Sequence, residues 1–145
     1  MGENLIAEAS VKIDASPAKV WDGLTKPQYV KQYMMGAAVN SDWNKGSEIT
    51  WGGEFKGKKY EDKGKILEIE PQKKLKYTHF SSLSGKEDVP ENYHTVSFSL
   101  SGDEKQTTVS LSQDKNETEK AKEESQKNWN AMLAGLKKVV EEEGR

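Results

Sequence analysis

The sequence contains no cysteine, which excludes disulfide frameworks, thiolate zinc sites and cysteine nucleophiles. It also contains no run of about 18 apolar residues, the length that a membrane-spanning helix needs. Residues 1–5 lack the positive and apolar regions of a signal peptide, so we expect no export by that route. These absences together predict a cytoplasmic protein with no membrane span.

A strong charge of either sign is also missing. The 22 basic and 24 acidic side chains give a net charge of −2. No run of lysine or arginine is long enough to follow a phosphate backbone, so we expect no nucleic-acid partner. The 145 residues match the usual size of one domain, and the chain is predicted to be a single domain over residues 1–145.

The first 36 residues carry the signals of a strand and two short helices. Residues 5–13 alternate apolar and polar side chains, which is typical of a half-buried strand. Ser16 followed by Pro17 predicts the start of one helix, because serine is a good N-cap and proline a good first helical residue. A second helix is predicted from about Pro27, and Gly36 ends it.

The middle of the chain has the period of an antiparallel sheet. From residue 37 to 113 the side chains alternate with a period close to two, and turn residues separate the apolar runs. Aligning the apolar positions predicts that Ile69 pairs with Leu75 in one hairpin and Leu100 with Thr107 in another. Gly64 lies just before the clean alternation of Leu67 and Ile69, and a bulge that bends the sheet is predicted there.

A long amphipathic helix is predicted over residues 118–142, where apolar residues recur at helical spacing. Its narrow apolar stripe consists of Trp129, Met132, Leu133, Leu136 and Val140. Replacing Trp129 with alanine should cost roughly 3 to 5 kcal/mol of stability, because a large buried ring is lost.

Five segments resemble one known family and follow one another in the order of that family. They are residues 13–27 (Ile-Asp-Ala-Ser-Pro-Ala-Lys-Val-Trp-Asp-Gly-Leu-Thr-Lys-Pro), 52–55, 64–71, 75–78 and 128–138. Together they resemble the heat-shock-protein-90 ATPase activator-like (AHSA1-like) branch of the START-like, or SRPBCC, superfamily. The resemblance implies an α+β helix-grip fold, in which a curved antiparallel sheet of about six to seven strands carries two short helices and a long C-terminal helix packed across it.

The resemblance also implies a set of functions, because the fold encloses an elongated pocket that relatives use in different ways. We expect a non-enzymatic protein that binds a small apolar or amphipathic molecule between the sheet and the C-terminal helix, with no catalytic residue, cofactor or metal. One alternative is a chaperone-accessory protein resembling activators of the heat-shock-protein-90 ATPase. Another is a cyclase or hydrolase that uses a pocket histidine.

Aromatic and apolar residues of the sheet and the last helix are the candidates for the pocket lining, because flat rings give large contact areas with few rotors. The predicted ligand-binding residues are Trp43, Trp51, Tyr77, His79, Tyr93, His94, Val96, Phe98, Trp129, Met132, Leu133 and Leu136. The competing interpretation of each aromatic residue is plain core packing. A narrow helix stripe against a broad apolar sheet face favours leftover volume, and therefore a pocket.

The two histidines allow three interpretations. Counting along the predicted strands places His79 and His94 on the apolar face, near one another at one end of the sheet. In the first interpretation they are polar members of the cavity wall or partly exposed strand ends. In the second they are general acid or base groups, and in the third they are metal ligands. A metal site would need further ligands, and no Ser-His-carboxylate pattern supports catalysis. We therefore expect them to belong to the pocket wall.

Overall fold

The computed structural model describes residues 5–34, 36–55, 57–81 and 86–143. The strands are β1 (Leu5–Ile13), β2 (Ala38–Ser41), β3 (Glu48–Phe55), β4 (Lys58–Glu70), β5 (Lys74–His79), β6 (His94–Gly102) and β7 (Thr107–Asn116). The helices are α1 (Pro17–Thr25), α2 (Pro27–Tyr33) and α3 (Glu119–Glu143), and a single 3-10 turn spans Pro90–Asn92. The seven strands form one antiparallel sheet in the order β1-β7-β6-β5-β4-β3-β2. The helix-grip fold predicted from the sequence is confirmed.

The short helices begin where the sequence predicts. The Ser16 hydroxyl accepts a hydrogen bond from the Lys19 N–H at 3.3 Å, and Pro17 occupies the first helical position. Two glycines then let α1 and α2 approach α3 closely. A Cβ atom at Gly23 would lie 2.6 Å from a methyl group of Val140, and one at Gly135 would lie 2.8 Å from the Cβ of Tyr33. Both short helices are therefore seated directly on α3.

The hairpin of β6 and β7 has a different register from the predicted one. Leu100 pairs with Val109, and Thr107 pairs with Gly102. The ladder is longer than predicted because Asp103 builds a tight turn, its carboxylate accepting two backbone N–H groups further along the turn at 2.9 and 3.1 Å. The two registers differ by two residues, so each side chain keeps its predicted face. The prediction that Leu100 pairs with Thr107 was wrong.

The bulge of β4 also lies elsewhere. The predicted pair of Ile69 and Leu75 is confirmed, but the shift in register falls at Leu67 and not at Gly64. Gly64 serves a different purpose, because a Cβ atom there would lie only 1.6 Å from the carbonyl oxygen of Thr78. Glycine at this position therefore allows the neighbouring strand to approach.

The core lies between the inner face of the sheet and the three helices. The largest fully buried side chains include Ile13, Ile49, Ile66, Leu75, Leu111, Leu133 and Leu136. The predicted stripe of α3 provides much of the helix side of this core. Among the described residues, no helix combines the length and the apolar composition that crossing a membrane requires.

Helix α3 also covers the free edge of β1. Gln126 and Glu141 accept hydrogen bonds from backbone N–H groups of this edge at 3.4 and 2.9 Å. Lys137 donates to the carbonyl oxygen of Lys12 at 3.0 Å. Side chains of one helix thus satisfy backbone groups that an edge strand would otherwise leave to solvent.

Candidate ligand site

A small cavity lies between the sheet and the helices, at the end of the inner face that α1 and α2 cover. Its volume is about 20 Å³, which is the room that roughly one water molecule needs. The residues that line it come from all three helices, four strands and two connecting segments: Leu24, Val30, Tyr33, Met34, Val39, Trp43, Ile49, Trp51, Leu75, Tyr77, Phe98 and Met132. The sequence predicts unfilled space between the sheet and the helices, and in the structure side chains fill almost all of it.

A row of rings runs across the inner face of the sheet beside this cavity. The ring centroids of Trp51 and Tyr77 lie 5.1 Å apart, and those of Tyr77 and Phe98 lie 6.1 Å apart. The row continues to His79 at one end, 5.1 Å from Trp51, and to Trp129 at the other, 6.5 Å from Phe98. Such tilted and edge-on contacts are the favourable geometries for aromatic pairs.

The cavity lining contains two tyrosine hydroxyls. The Tyr33 side chain is half-buried as a whole, but its hydroxyl end lies inside and donates a hydrogen bond to the Gly23 carbonyl at 2.6 Å. Burial raises the pKa of Tyr33 far above its ordinary value, and the nearness of Tyr77 adds to the rise. Burial alone raises the pKa of Tyr77. Both phenols are therefore neutral throughout the physiological range.

The predicted ligand-binding residues divide into those that line the cavity and those that surround it. The structure places five on the lining: Trp43, Trp51, Tyr77, Phe98 and Met132. Val96, Leu133 and Leu136 are at most 1% exposed and belong to the packed core. Trp129 is half-buried and lies outside the lining. That any of these residues binds a ligand stays a prediction.

His79 and His94 lie directly opposite each other on β5 and β6, at the end of the inner face away from the cavity. The predicted proximity of the two is confirmed. His79 Nε2 lies 3.2 Å from Asp62 Oδ2, and the two side chains are 28% and 17% exposed. The Trp51 ring also contacts this imidazole edge-on, and Trp51 pairs with Asp62 across β3 and β4, so His79 contacts both a carboxylate and the aromatic row.

A chain of hydrogen bonds connects His94 to α3. Trp129 Nε1 donates to Gln113 Oε1 at 2.5 Å, which fixes the orientation of the Gln113 amide. The amide nitrogen then faces His94 Nδ1 at 3.2 Å, while the Asp114 carbonyl lies 3.0 Å from the same ring nitrogen. His94 Nδ1 accepts from the Gln113 amide in the tautomer with its proton on Nε2, and donates to the Asp114 carbonyl in the tautomer with its proton on Nδ1, so only one of the two hydrogen bonds forms at a time. The network ties the helix to β6 and β7.

Tyr93 lies on the opposite side of the sheet from the cavity. Its ring stacks on Phe80 with centroids 5.2 Å apart, and its hydroxyl donates to Asp88 at 2.5 Å. It lines an outer groove of about 580 Å³ together with Lys63 and Thr78, whose side chains alternate away from the core. The inward position that the sequence analysis assigned to Tyr93 is therefore wrong, because the residue precedes β6 and turns to the outer face.

Sequence reasoning did not include seven of the twelve described lining residues among the site candidates, nor the two partners of the histidines, Asp62 and Gln113. The seven are Leu24, Val30, Tyr33, Met34, Val39, Ile49 and Leu75. Tyr33 and Met34 reach the cavity from the end of α2, and Asp62 and Gln113 bond to the histidines. Gln113 continues the inward alternation of β7 two residues after Leu111, so its face follows from the strand period. Within the described parts of the chain, no three histidine or acidic side chains are grouped so as to hold a metal ion.

The family of the chain follows from comparison with known sequences. The profile of the family described as Activator of Hsp90 ATPase homolog 1-like protein (AHSA1) matches residues 14–141. The chain belongs to this family. The match extends from the start of α1 to the last turns of α3 and so includes the cavity and both histidines. Among curated proteins, none matches the chain.

Solved structures of similar proteins have the same architecture as this AHSA1-family chain. The solution structure of a Cytophaga hutchinsonii protein is 50% identical, with a TM-score of 0.86 over 99% of this chain and 98% of that one. The Aha1 dimer from Colwellia psychrerythraea is 24% identical, with a TM-score of 0.72 over 94% and 96%. CalU16 from Micromonospora echinospora is 19% identical, with a TM-score of 0.70 over 95% and 85%. The last two likenesses support the fold alone.

Proposed function

We propose that this AHSA1-family protein binds a small apolar or amphipathic molecule in the cavity between the sheet and α3, without catalysing a reaction on it. The observation that carries the proposal is the convergence of uncharged side chains from three helices and four strands on one interior space, most of them aromatic rings or methionines. Concave, apolar sites with a few polar groups are the usual form of small-molecule sites.

Binding requires the cavity to expand, because about 20 Å³ admits no organic molecule. The lining contains Met34 and Met132, whose unbranched side chains repack at little cost. Both are half-buried, so they can move toward solvent without disturbing the buried strands. On binding, the ligand therefore takes the space that the Met34 and Met132 side chains fill in the free protein.

The test is a titration of purified, ¹⁵N-labelled protein with fatty acids, flavonoids and polyketide-like aromatic compounds. We expect at least one class to shift the amide resonances of α2, Trp51 and Tyr77 in a saturable way. Tyr93→Ser is a matched control, since it alters the outer groove and should bind equally well. If every class leaves the cavity resonances unchanged, the proposal fails.

A second candidate function is that of a chaperone accessory protein, which acts through surface contacts. Membership of the family described as Activator of Hsp90 ATPase homolog 1-like protein favours it. An ATPase assay with purified heat-shock protein 90 tests it directly. We expect a concentration-dependent rise in turnover, and an unchanged rate together with no co-purification would remove this candidate.

A further inference from the structure

The cavity lining shows which chemical groups it can accept. None of the twelve described lining residues carries a formal charge, and its polar groups are two tyrosine hydroxyls and two indole N–H groups. An ionised carboxylate or phosphate placed there would be buried without a partner of opposite charge, which is strongly unfavourable. The lining therefore selects for an uncharged group at the buried end of a ligand.

The tyrosine hydroxyls narrow the choice further. The proton of Tyr33 is committed to the Gly23 carbonyl at 2.6 Å, so the Tyr33 oxygen is left with lone pairs and can only accept. Because burial raises the pKa of both Tyr33 and Tyr77, neither becomes a phenolate near neutral pH. A ligand that carries a hydrogen-bond donor matches the Tyr33 oxygen, and a group that can also accept finds donors in the Tyr77 hydroxyl and the indole N–H groups of the lining.

The mouth of the cavity is closed by a plug that consists of Met34, Trp43 and Met132. These side chains are half-buried, whereas most other lining residues are buried. Trp43 has a positive φ of 55°, which is rare for a bulky residue. Ser41 holds this conformation, because its hydroxyl accepts from the Trp43 N–H at 3.1 Å and donates to the Glu48 carbonyl at 2.8 Å.

The aromatic row forms the inner wall opposite this plug. Trp51, Tyr77 and Phe98 present their rings at centroid distances of 5.1 and 6.1 Å. A flat ring that replaces the methionine side chains of the plug would continue this row with favourable tilted contacts. The cavity can enlarge most easily on the side of the plug, because most of the remaining lining residues are buried in the core of the sheet and helices.

We infer that the cavity takes an uncharged molecule with one aromatic ring and one hydroxyl donor, such as a simple phenol, and that this molecule enters by displacing the plug. The inference rests on the proposed function and specifies the ligand and its path. The ring lies against Trp51 and Tyr77, and its hydroxyl donates to the Tyr33 oxygen. A charged substituent stays outside the mouth.

The test compares phenol, toluene and benzoate on protein carrying ¹³C-labelled methionine methyl groups. We expect phenol to shift the Met34 and Met132 methyl resonances and benzoate to leave them unchanged. Tyr33→Phe should weaken phenol binding about fivefold, the effect of one lost hydrogen bond, and leave toluene binding within about twofold. Met132→Ala should strengthen phenol binding, while Lys138→Ala, an exposed position of the same helix, should not.

Three results would overturn the inference: benzoate binding as tightly as phenol, phenol binding without a response from either methyl group, or Tyr33→Phe binding phenol unchanged. Met34→Ala provides a second opened variant should Met132→Ala fold poorly. If a larger amphipathic compound occupies the cavity and phenol does not, the inference falls and the proposed function stands. If no compound binds to the original protein or to either opened variant, both fall.

Discussion

The two ends of the inner sheet face are closed in different ways. At the helix end, α1 and α2 sit on α3 through Gly23 and Gly135, and the contacts are apolar. At the histidine end, His79 and His94 are half-buried and held by hydrogen bonds to Asp62 and other polar partners. Both ends use successive inward positions of the same strands. The difference is made by what covers them.

This contrast indicates where stability and adaptability reside. Tight apolar packing at the helix end contributes most of the burial energy, in proportion to the area removed from water. Hydrogen bonds at the histidine end are worth less individually, and their donors and acceptors depend on protonation. Substitutions at the two ends should therefore differ in size and in their response to pH.

Leu136→Ala should have the largest effect. Leu136 is fully buried against Gly23 and the core, so its loss leaves a cavity at the helix end. We expect the free energy of unfolding to fall by about 2 to 5 kcal/mol, measured by urea denaturation. Lys138→Ala on the exposed side of the same helix should change it by no more than about 0.5 kcal/mol. Equal losses in the two variants would contradict this account of the core.

Trp129→Ala should cost about 2 kcal/mol, below the range for a fully buried ring, because the side chain is half-buried. The larger loss of stability predicted from the sequence assumed a buried ring, whereas the Trp129 side chain is only half-buried. Trp129→Phe separates the two contributions of this residue at the histidine end. It keeps a ring beside Phe98 and removes the N–H that Gln113 accepts, so we expect a loss of about 1 kcal/mol by thermal or urea unfolding. A neutral Trp129→Phe would mean that the hydrogen bond contributes nothing.

Gly135→Ala should change the free energy of unfolding through two effects that act in opposite directions and are similar in size. Alanine is the better helix former by about 1 kcal/mol, but its Cβ would lie 2.8 Å from the Cβ of Tyr33. Overpacking of this kind costs about 1 to 3 kcal/mol, so we expect a net loss of roughly 1 kcal/mol. In a Tyr33→Gly background, which removes this Cβ, the same change should become stabilising. A gain in the original background would show that α2 yields easily at this contact.

Lys86→Met should have the smallest effect, and one that depends on pH. The hydrogen bond from Lys86 is the main cause that lowers the pKa of Glu117, with a minor contribution from His94. A carboxylate whose pKa is lowered by folding stabilises the fold above its ordinary pKa, and this contribution is lost as the pH falls through the lowered value. The stability difference between the two proteins should therefore shrink with acidification. A difference that grows in acid would reverse the assigned sign.

Much of the fold can be predicted because its signals are local. Ser16 and Pro17 start α1, strict alternation marks β1, and the helical spacing of Leu133 and Leu136 identifies the buried side of α3. Each of these signals acts within a few residues along the chain. The arrangement of these elements as a helix-grip fold is what the resemblance of residues 13–27 and four later segments to the AHSA1-like family implies.

The register and the cavity could not be predicted in the same way. A shift of two residues keeps every side chain on its face, so alternation does not distinguish Leu100 paired with Thr107 from Leu100 paired with Val109. The turn chemistry of Asp103 decides between them. The filling of the cavity depends on how far Tyr33 and Met34 reach from a short helix, which is a property of packing and not of local pattern.

The hydrogen bonds from α3 to the first strand have a consequence for assembly. An unprotected outer strand is a template onto which another polypeptide can add. In β1 the Glu8 N–H donates to Gln126 and the Lys12 carbonyl accepts from Lys137, and just beyond the strand the Asp14 N–H donates to Glu141. Helix α3, which covers the inner face of the sheet, therefore also shields part of the β1 edge. Replacing Gln126, Lys137 and Glu141 with alanine should therefore promote self-association through the β1 edge, while the apolar stripe that packs α3 on the sheet stays intact.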